Sequence, residues 1–445
     1  VAQLAYRRQV ARVENDRGAD EITMARGTLK LQPSCADERD PVKLTVPEAR
    51  QRILDAIDPV VLSERITLRQ ALDRVLAEQV ISCQDVPAHT NAAMDGYAVR
   101  GTDLPCEGEV TLALIGEAYA GHPFAGRASE GQCVRIMTGA PLPEGADTVL
   151  MQERVQREGG QVKVGPGHRP TENVRQAGED ITRGSIVLEP GRRLAPADLG
   201  LIASLGIAEV RVRRRPRVAF LSTGDELRSV GQPLGPGEIY DSNRYTLHGM
   251  LQHLGAEIID LGVVHDDIES LRRALSDGAK QADVVITSGG VSVGEADFVK
   301  QVLGELGQAE FWQIAMKPGR PLTFGRLGES LFFGLPGNPV AVMVTFYQFV
   351  QPALTYLASG RVELPLLVEA YCQSRLRKKP GRTEFQRGVL EHDGDGELRV
   401  TLTGKQGSGI LSSMSRANCF IVLPHESGSV EPGDAVLVQP FDTFV

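Results

Sequence analysis

With 445 residues, 42% hydrophobic and 24% charged, the chain has the size and composition of a soluble globular protein of about three domains. Its net charge of −9 argues against sequence-independent nucleic-acid binding, which draws on basic surface. No run approaches the roughly 20 apolar residues of a membrane span. The six cysteines show no CxxC spacing and the eight histidines no HxxxH or HExxH pair, so neither a disulfide framework nor a structural metal is expected.

Residues 1–40 carry Arg7, Arg8, Arg12, Arg17 and Arg26 among acidic residues, with no apolar h-region. They read as a poorly folded extension rather than a targeting peptide, and the protein as cytoplasmic. Thr45 and Glu48 have capping-box spacing, Pro47 suits a first turn, and Ile53, Leu54 and Ile57 recur on one face, which predicts a helix over 44–57. A second helix is expected near 67–78. From about 83 to 180, short apolar runs broken by Gly and Pro predict an all-β domain. Residues 184–214 regain a helix in PADLGLIASLG (196–206) and an extended EVRVR. These are expected to pack back on the first helical segment, which makes the β domain an insertion. The basic run RVRRRPR (211–217) reads as a solvated edge strand or linker.

Strand, loop and helix then alternate. VAFL (218–221), EIIDLGVV (257–264) and DVVIT (283–287) read as strands, with helices near 243–254, 268–280, 295–306 and 340–357. This predicts βαβ crossovers and a buried parallel sheet. After residue 360 the pattern returns to short strands, with turns at HDGDGE (392–397) and EPGD (431–434), so a small β-barrel closes the chain.

Ligands of open α/β sheets bind beyond the carboxyl ends of the strands. Those ends deliver Asp225, Glu226, Asp266, Asp267 and Asp297 beside SGGVSVGEAD (288–297). Glycines 289, 290 and 294 allow positive φ, so successive N–H groups can converge into an anion nest. Glu295-Ala296 stand where a P-loop needs Lys-Ser/Thr, which excludes a Walker site. Acids beside an anion nest suggest a divalent cation bridging to phosphate, and oxygen ligands suit Mg²⁺. In GLPGNPVA (334–341), Asn338 can cap a helix whose first position is Pro339, and the helix start is an anion site. Lys317 and Arg320 of KPGRP (317–321) read as phosphate or oxyanion contacts. The bland alternatives are a tight glycine turn, a structural strand-to-helix turn, and solvent-facing basic residues. NAAMDGYAVR (91–100), RIMTGAPLPEGADTVLMQE (135–153) and RQAGED (175–180) are weak signals singly.

In one order across the chain run AMDGYAVR, RIMTGAPLPEGAD, GEDI, SLGIAEV, FLSTGDEL, IYDSNR, TSGGVSVGEAD, MKPGRP, GLPGNPV and FQRGVL. From residue 41 onward the chain strongly resembles the molybdopterin molybdenumtransferase family, the MoeA proteins, whose relatives include the C-terminal domain of gephyrin. The resemblance implies a multidomain α/β fold. Its parts are a helical and extended dimerisation region (41–82 and 184–215), an inserted β domain (83–183), a parallel-sheet molybdopterin-binding α/β domain (216–361) and a C-terminal β-barrel (362–445), preceded by the extension 1–40. It implies a homodimer whose cleft lies between the α/β domain of one subunit and the inserted domain of the other. The implied activity is Mg²⁺-dependent insertion of molybdenum from molybdate into adenylylated molybdopterin, with release of AMP.

On that resemblance, Ser288, Gly289, Gly290, Ser292, Gly294, Pro336, Gly337, Asn338 and Pro339 hold the pterin phosphates, with Ser408 of GKQGSG (404–409) on the pterin side. Glu226, Asp266 and Asp297 hold Mg²⁺ directly or through water. Asp95, Thr138 and Asp180 reach in from the partner subunit, and Lys317 and Arg320 contact oxyanions. Two positions depart from the family pattern: Gln313 stands where lysine is common, and Arg320 where lysine is frequent. The competing readings are the upstream adenylyltransferase, which would consume ATP, and a gephyrin-like scaffold. The adenylyltransferase is also the expected upstream partner, and no nucleic-acid or membrane partner is expected.

Overall fold

The computed structural model of the protein describes residues 42–290 and 296–441, without the side chains of Val42, Ala296 and Asp297. The extension 1–40, Ser292, Gly294 and the Asp297 carboxylate lie outside the described residues.

The α/β body is a seven-stranded sheet in the order 42–44, 307–314, 321–327, 330–335, 284–288, 217–223, 257–264. The last four strands of that order run parallel, as the alternation predicted. Strand 321–327 is antiparallel to both its neighbours, so the sheet is mixed. The links on either side of that strand are too short to hold a crossover helix, and a short link joins only antiparallel strands. Side chains alternate between the two faces. Val218 and Phe220 pack with Ile286, Phe333, Leu247 and Phe346, whereas Ala219 and Leu221 pack with Val285, Leu271, Leu275 and Phe332. Helices cover both faces, and so these strands are apolar throughout.

The first helix, Val46–Asp55, has the expected capping box. The Glu48 N–H donates to Thr45 Oγ1, while the Thr45 N–H and hydroxyl donate to Glu48 Oε2 at 2.7 and 2.8 Å and hold the Glu48 carboxyl below its usual range. Residues 42–60, read from sequence as part of the dimerisation region, instead complete the α/β body. Their strand pairs with 307–314, and Val46, Ala49, Ile53 and Ile57 join its core. Buried Arg50 donates from Nε to the Gln348 carbonyl at 3.1 Å and from Nη2 to Gln348 Oε1 at 2.9 Å. Gln348 Nε2 passes the network to Gln439 of the barrel at 2.7 Å. Gln348 lies in a π turn, Phe346–Val350, inside the helix Pro339–Ser359. That helix is, against the sequence expectation, long and apolar enough to cross a membrane by length and composition. It is 72% buried, as a core helix is.

Residues 63–81 meet 186–213. Strand Ser63–Thr67 pairs antiparallel with Glu209–Arg213, and Val80–Ile81 with Ile186–Leu188, around a core that includes Leu76, Ile202 and Val212. Helix Pro196–Ser204 forms as predicted. The helix expected near 67–78 does not: only the 3₁₀ turn Leu68–Gln70 forms. Asp73 then adopts φ 61°, and Val75 and Leu76 bridge to Arg193 and Val212, so tertiary pairing overrides helix propensity. The basic run is not simply solvated either. Arg214 grips Asp283 through two bonds of 2.7 and 2.6 Å, and Arg213 donates to the Ala358 carbonyl. Burial pushes the Asp283 carboxyl up, but the bonds from Arg214 and the Arg217 N–H outweigh it and hold it below its usual range.

The chain between these strands builds a six-stranded sheet, ordered 148–151, 96–99, 132–136, 110–118, 161–164, 156–158. In the C-terminal region, strands 383–392, 398–402, 368–372, 435–440 and 419–423 close on themselves, because 383–392 also pairs with 419–423. The HDGDGE turn forms there, with the Asp393 N–H donating to the Glu397 carbonyl. A short strand of the α/β body, Met316–Lys317, pairs in parallel with Thr383 and Glu384 of this barrel.

Arg50→Met keeps the aliphatic stem but leaves two acceptors of buried Gln348 without their donor. It is expected to cost about 1–3 kcal/mol in urea unfolding; unchanged stability would refute a structural role for this network.

Candidate active site

Register decides which loops meet. Ser222 is level with Ser288, Thr223 with Val264, and Ser288 with Leu335, so the four parallel strands end in step. The loops at 224–226, 265–267, 289–290 and 336–338 therefore share one edge. Gly289 and Gly290 take φ of 95° and 68°. A Cβ on Gly289 would lie 2.6 Å from the Thr223 carbonyl oxygen, and one on Gly290 2.8 Å from Thr223 Oγ1. Glycine is required here by both conformation and space. A Cβ on Gly337 would lie 3.8 Å from the Gly289 Cα, so the two glycine loops abut.

Asn243 ties these loops together, and the sequence reading gave it no role. Its Nδ2 donates to Ser288 Oγ at 2.8 Å and to the Gly337 carbonyl at 2.7 Å. The signal was present in IYDSNR, where Asp241 caps helix Ser242–His253 by accepting the Arg244 N–H. Around this edge Ser222 Oγ, Thr223 Oγ1, Thr287 Oγ1, Asp241 Oδ2 and Asn243 Oδ1 are buried with no hydrogen-bond partner among the described residues. Buried polar atoms are normally paired, so such a concentration marks a place built for a polar ligand or ordered water.

Asn338 occupies the N-cap and Pro339 the first helical position, but the Asn338 side chain makes no capping bond and stays exposed. The helix start is satisfied from the barrel instead. The Val340 N–H donates to the Ser408 carbonyl at 3.1 Å, which brings the 404–409 loop onto the glycine turn. That loop is held by Arg387 of FQRGVL, 1% exposed, whose guanidinium donates to the carbonyls of Lys405, Gln406 and Gly407 and to Ser413 Oγ. Burial lowers its pKa to about 10.

Among the acids, Glu226 is exposed and curls back over Gly224. Asp266 is half-buried, with its N–H donating to Asp225 Oδ1 at 3.4 Å, and His265 Nδ1 lies 3.6 Å from the same oxygen. Asp267 caps helix Ile268–Gln281, and its bonds from Ser270 hold its carboxyl below the usual range. Among the described residues, no three His, Cys, Asp or Glu side chains already cluster as a metal site. Lys317 lies 3.6 Å from Glu384 of the barrel, and Arg320 Nη2 donates to Gln313 Oε1 at 2.7 Å. The glutamine at 313 thus gives Arg320 an acceptor where a lysine would repel it.

In the inserted domain, Asp95 Oδ1 accepts the Thr138 N–H at 2.8 Å and the Thr138 hydroxyl at 2.7 Å. This pair, 43 residues apart in sequence, is joined because strands 96–99 and 132–136 are neighbours. Asp180 is exposed, with its N–H donating to the Val86 carbonyl, and it is not bonded into the Asp95–Thr138 pair.

Together these features define a multidomain α/β protein with paired glycine loops at the carboxyl edge of its sheet, overlaid by a barrel loop. Comparison with known proteins agrees at every level. Residues 44–206 match the MoeA N-terminal region (domain I and II), 219–356 a probable molybdopterin binding domain, and 369–441 the MoeA C-terminal region (domain IV). The chain is 46% identical to a molybdopterin molybdenumtransferase of Haemophilus influenzae, over 90% of this chain and 99% of that protein. It is 38% identical to one of Nostoc, over 84% and 88%. The crystal structure of a molybdopterin biosynthesis moeA protein from Pyrococcus horikoshii superposes with a TM-score of 0.79 at 31% identity, covering 89% of this chain and all of that one. The chain belongs to the MoeA family of molybdopterin molybdenumtransferases.

The backbone and hydroxyl bonds from Thr138 hold the Asp95 carboxyl below its ordinary value of 3.8. Asp95 therefore stays ionised to lower pH in the folded protein than in the unfolded one. The stability this contributes is present above the ordinary value and fades as pH falls through the lowered one. Thr138→Val removes the hydroxyl bond and keeps the backbone bond, so the Asp95 titration seen by carboxyl NMR is expected to move up. An unmoved titration would show that the hydroxyl does not matter.

Proposed function

We propose that the chain inserts molybdenum from molybdate into adenylylated molybdopterin and releases AMP, working with Mg²⁺ as a homodimer. The observation that carries this reading is the carboxyl edge itself, where glycine loops at 289–290 and 336–338 abut beside Glu226 and Asp266, with a group of buried polar atoms that have no partner among the described residues. The substrate carries a pyrophosphate and a dithiolene, so the protein must hold phosphate, balance its charge and keep molybdate near the two sulfurs.

Backbone N–H groups of the 288–294 loop and of Gly337 and Asn338 would take the phosphates, since a nest of positive-φ glycines presents donors, while the first N–H of the following helix, on Val340, is already given to the Ser408 carbonyl. The oxygen-rich donor set fits Mg²⁺: Glu226, Asp266 and Asp297 would hold it directly or through water, with the orphaned oxygens of Ser222 and Thr223 nearby. When bound, the ion supplies a Lewis acid that neutralises charge as AMP departs. Lys317 and Arg320 would meet oxyanion, and Ser408 the pterin side. Asp95, kept ionised by Thr138, would enter with Asp180 from the partner subunit. An upstream adenylyltransferase would supply the substrate. An ATP-consuming reaction or a scaffold role would leave the Asp95–Thr138 pair and the Ser408 loop without purpose, which favours the later step.

The test follows AMP release from adenylylated molybdopterin with Mg²⁺, with and without molybdate. Molybdate-stimulated release is expected, lowered about 100-fold in Asp297→Asn. Release that needs no molybdate, or turnover of ATP, would refute the assignment. For the trans arrangement, heterodimers of Asp95→Asn and Asp297→Asn subunits should regain about a quarter to a half of the activity, because one cleft stays intact. No recovery in verified heterodimers would place Asp95 in its own subunit's cleft.

A further inference from the structure

One end of the inserted sheet gathers more than the Asp95–Thr138 pair. Strands 110–118 and 132–136 run parallel and end level, Ala118 with Ile136, while 96–99 runs antiparallel to 132–136 and starts beside Ile136. Asp95, Thr138 and Tyr119 therefore leave the sheet together. Tyr97, Arg135 and Glu117 are in register across three strands and share a face, and Asp95 and Tyr119 each lie two residues further toward that end. The N–H groups of Tyr119 and His122 donate to each other's carbonyls, at 3.0 and 2.9 Å, and close a turn. That turn lies against the residue after Thr138: a Cβ on Gly139 would be 3.9 Å from the Ala120 Cβ. Arg135 stands between the two groups. Its charge reinforces the bonds from Thr138 that lower the Asp95 carboxyl, and opposes the bond to Glu117 that raises the Tyr119 hydroxyl.

Tyr119 is 42% exposed beside this acid, and Met94, next to Asp95 in the chain, is 45% exposed. The ring is nonetheless held, because its hydroxyl donates to Glu117 Oε2. An exposed aromatic ring whose one polar atom is anchored offers its face at little cost in side-chain freedom. The same bond keeps the hydroxyl protonated, so the ring carries no charge that would repel an anionic ligand.

We propose that Tyr119 is a stacking platform for a fused nitrogen ring of the substrate, with Glu117 as the positioning residue that fixes the platform. This rests on the reading in which Asp95 faces adenylylated molybdopterin. In that reading the pterin end meets the Ser408 loop and the phosphates meet the glycine loops. The adenosine is the end left over, and the inserted domain is the wall left over, so adenine is the expected occupant. The pterin is the substrate's other flat ring, and the two are tested separately. Stacking on an aromatic face needs no particular pattern of donors and acceptors, so a single tyrosine is enough to supply it.

The experiment is isothermal titration of the full-length protein with AMP, with ribose 5-phosphate and with molybdopterin that lacks its adenylate, at fixed pH and ionic strength. Tyr119→Leu should weaken AMP binding about tenfold and leave ribose 5-phosphate unchanged, since that ligand keeps the phosphate and has no base. Tyr119→Phe keeps the ring and should lose less. Tyr371→Leu removes a similarly exposed tyrosine from the barrel and should change nothing. Weakened molybdopterin binding with unchanged AMP binding would support the platform and assign it to the pterin. For Glu117→Ala, loss of a negative charge by itself predicts tighter binding of AMP and ribose 5-phosphate alike, whereas a freed ring predicts weaker binding of AMP only. The second result is expected, and Tyr119→Gln replaces Tyr119→Leu should that variant fail to fold. AMP and molybdopterin both unchanged in Tyr119→Leu, AMP and ribose 5-phosphate weakened equally, or AMP tightened in Glu117→Ala overturns the proposal. AMP binding that depends on Tyr119 in a protein that releases no AMP from adenylylated molybdopterin would leave the platform standing and refute the assigned reaction instead.

Discussion

The site depends on four parallel strands that end at one level. With Thr223 beside Val264, and Ser222 and Leu335 beside Ser288, the four following loops have no choice but to converge. A one-residue slip would turn each strand's side chains to the opposite face, and the alternation of Val218 and Phe220 with Ala219 and Leu221 between two cores forbids that. Packing in the interior thus sets the geometry at the rim. The glycines at 289 and 290 then let the backbone turn against Thr223 at distances no Cβ could share.

The barrel completes that edge from outside. Ser408 lends its carbonyl to the first free N–H of the 339–359 helix, and Glu384 holds Lys317 across the same junction. Both contacts are organised by buried charge, solved in two ways. Arg387 is satisfied by three loop carbonyls and a hydroxyl, which rigidifies the 404–409 loop. Glu384 is satisfied by cations whose outer halves remain in water. In each case the cost of burying a charge is offset only if the neighbouring loop holds still, so the charge enforces one loop conformation.

Local signals were legible where a local interaction decides the outcome. The Thr45–Glu48 capping box, the helices of the α/β body and the glycine loops could all be read from spacing, because caps, periodicity and positive φ involve residues within a turn of each other. The helix expected at 67–78 failed because its apolar residues serve strand-like bridges to residues 193 and 212. The RVRRRPR run looked solvated because its acceptors, Asp283 and the Ala358 carbonyl, are remote in sequence. Asn338 is at the cap position that was read for it, yet its side chain is not the cap.

The sequence by itself determined the domain types, the family and the residues able to do the chemistry, since periodicity, turn chemistry and motif order are properties of the chain as written. Only the tertiary structure decided how those residues meet: that the sheet is mixed, that Asn243 clasps two glycine loops, that Gln313 serves Arg320, and that Lys317 shares Glu384 with Arg382. Each of these is a contact between segments whose separation along the chain carries no signal. The physical reason is that register and docking are set by the whole core at once, and no short stretch of sequence contains the core.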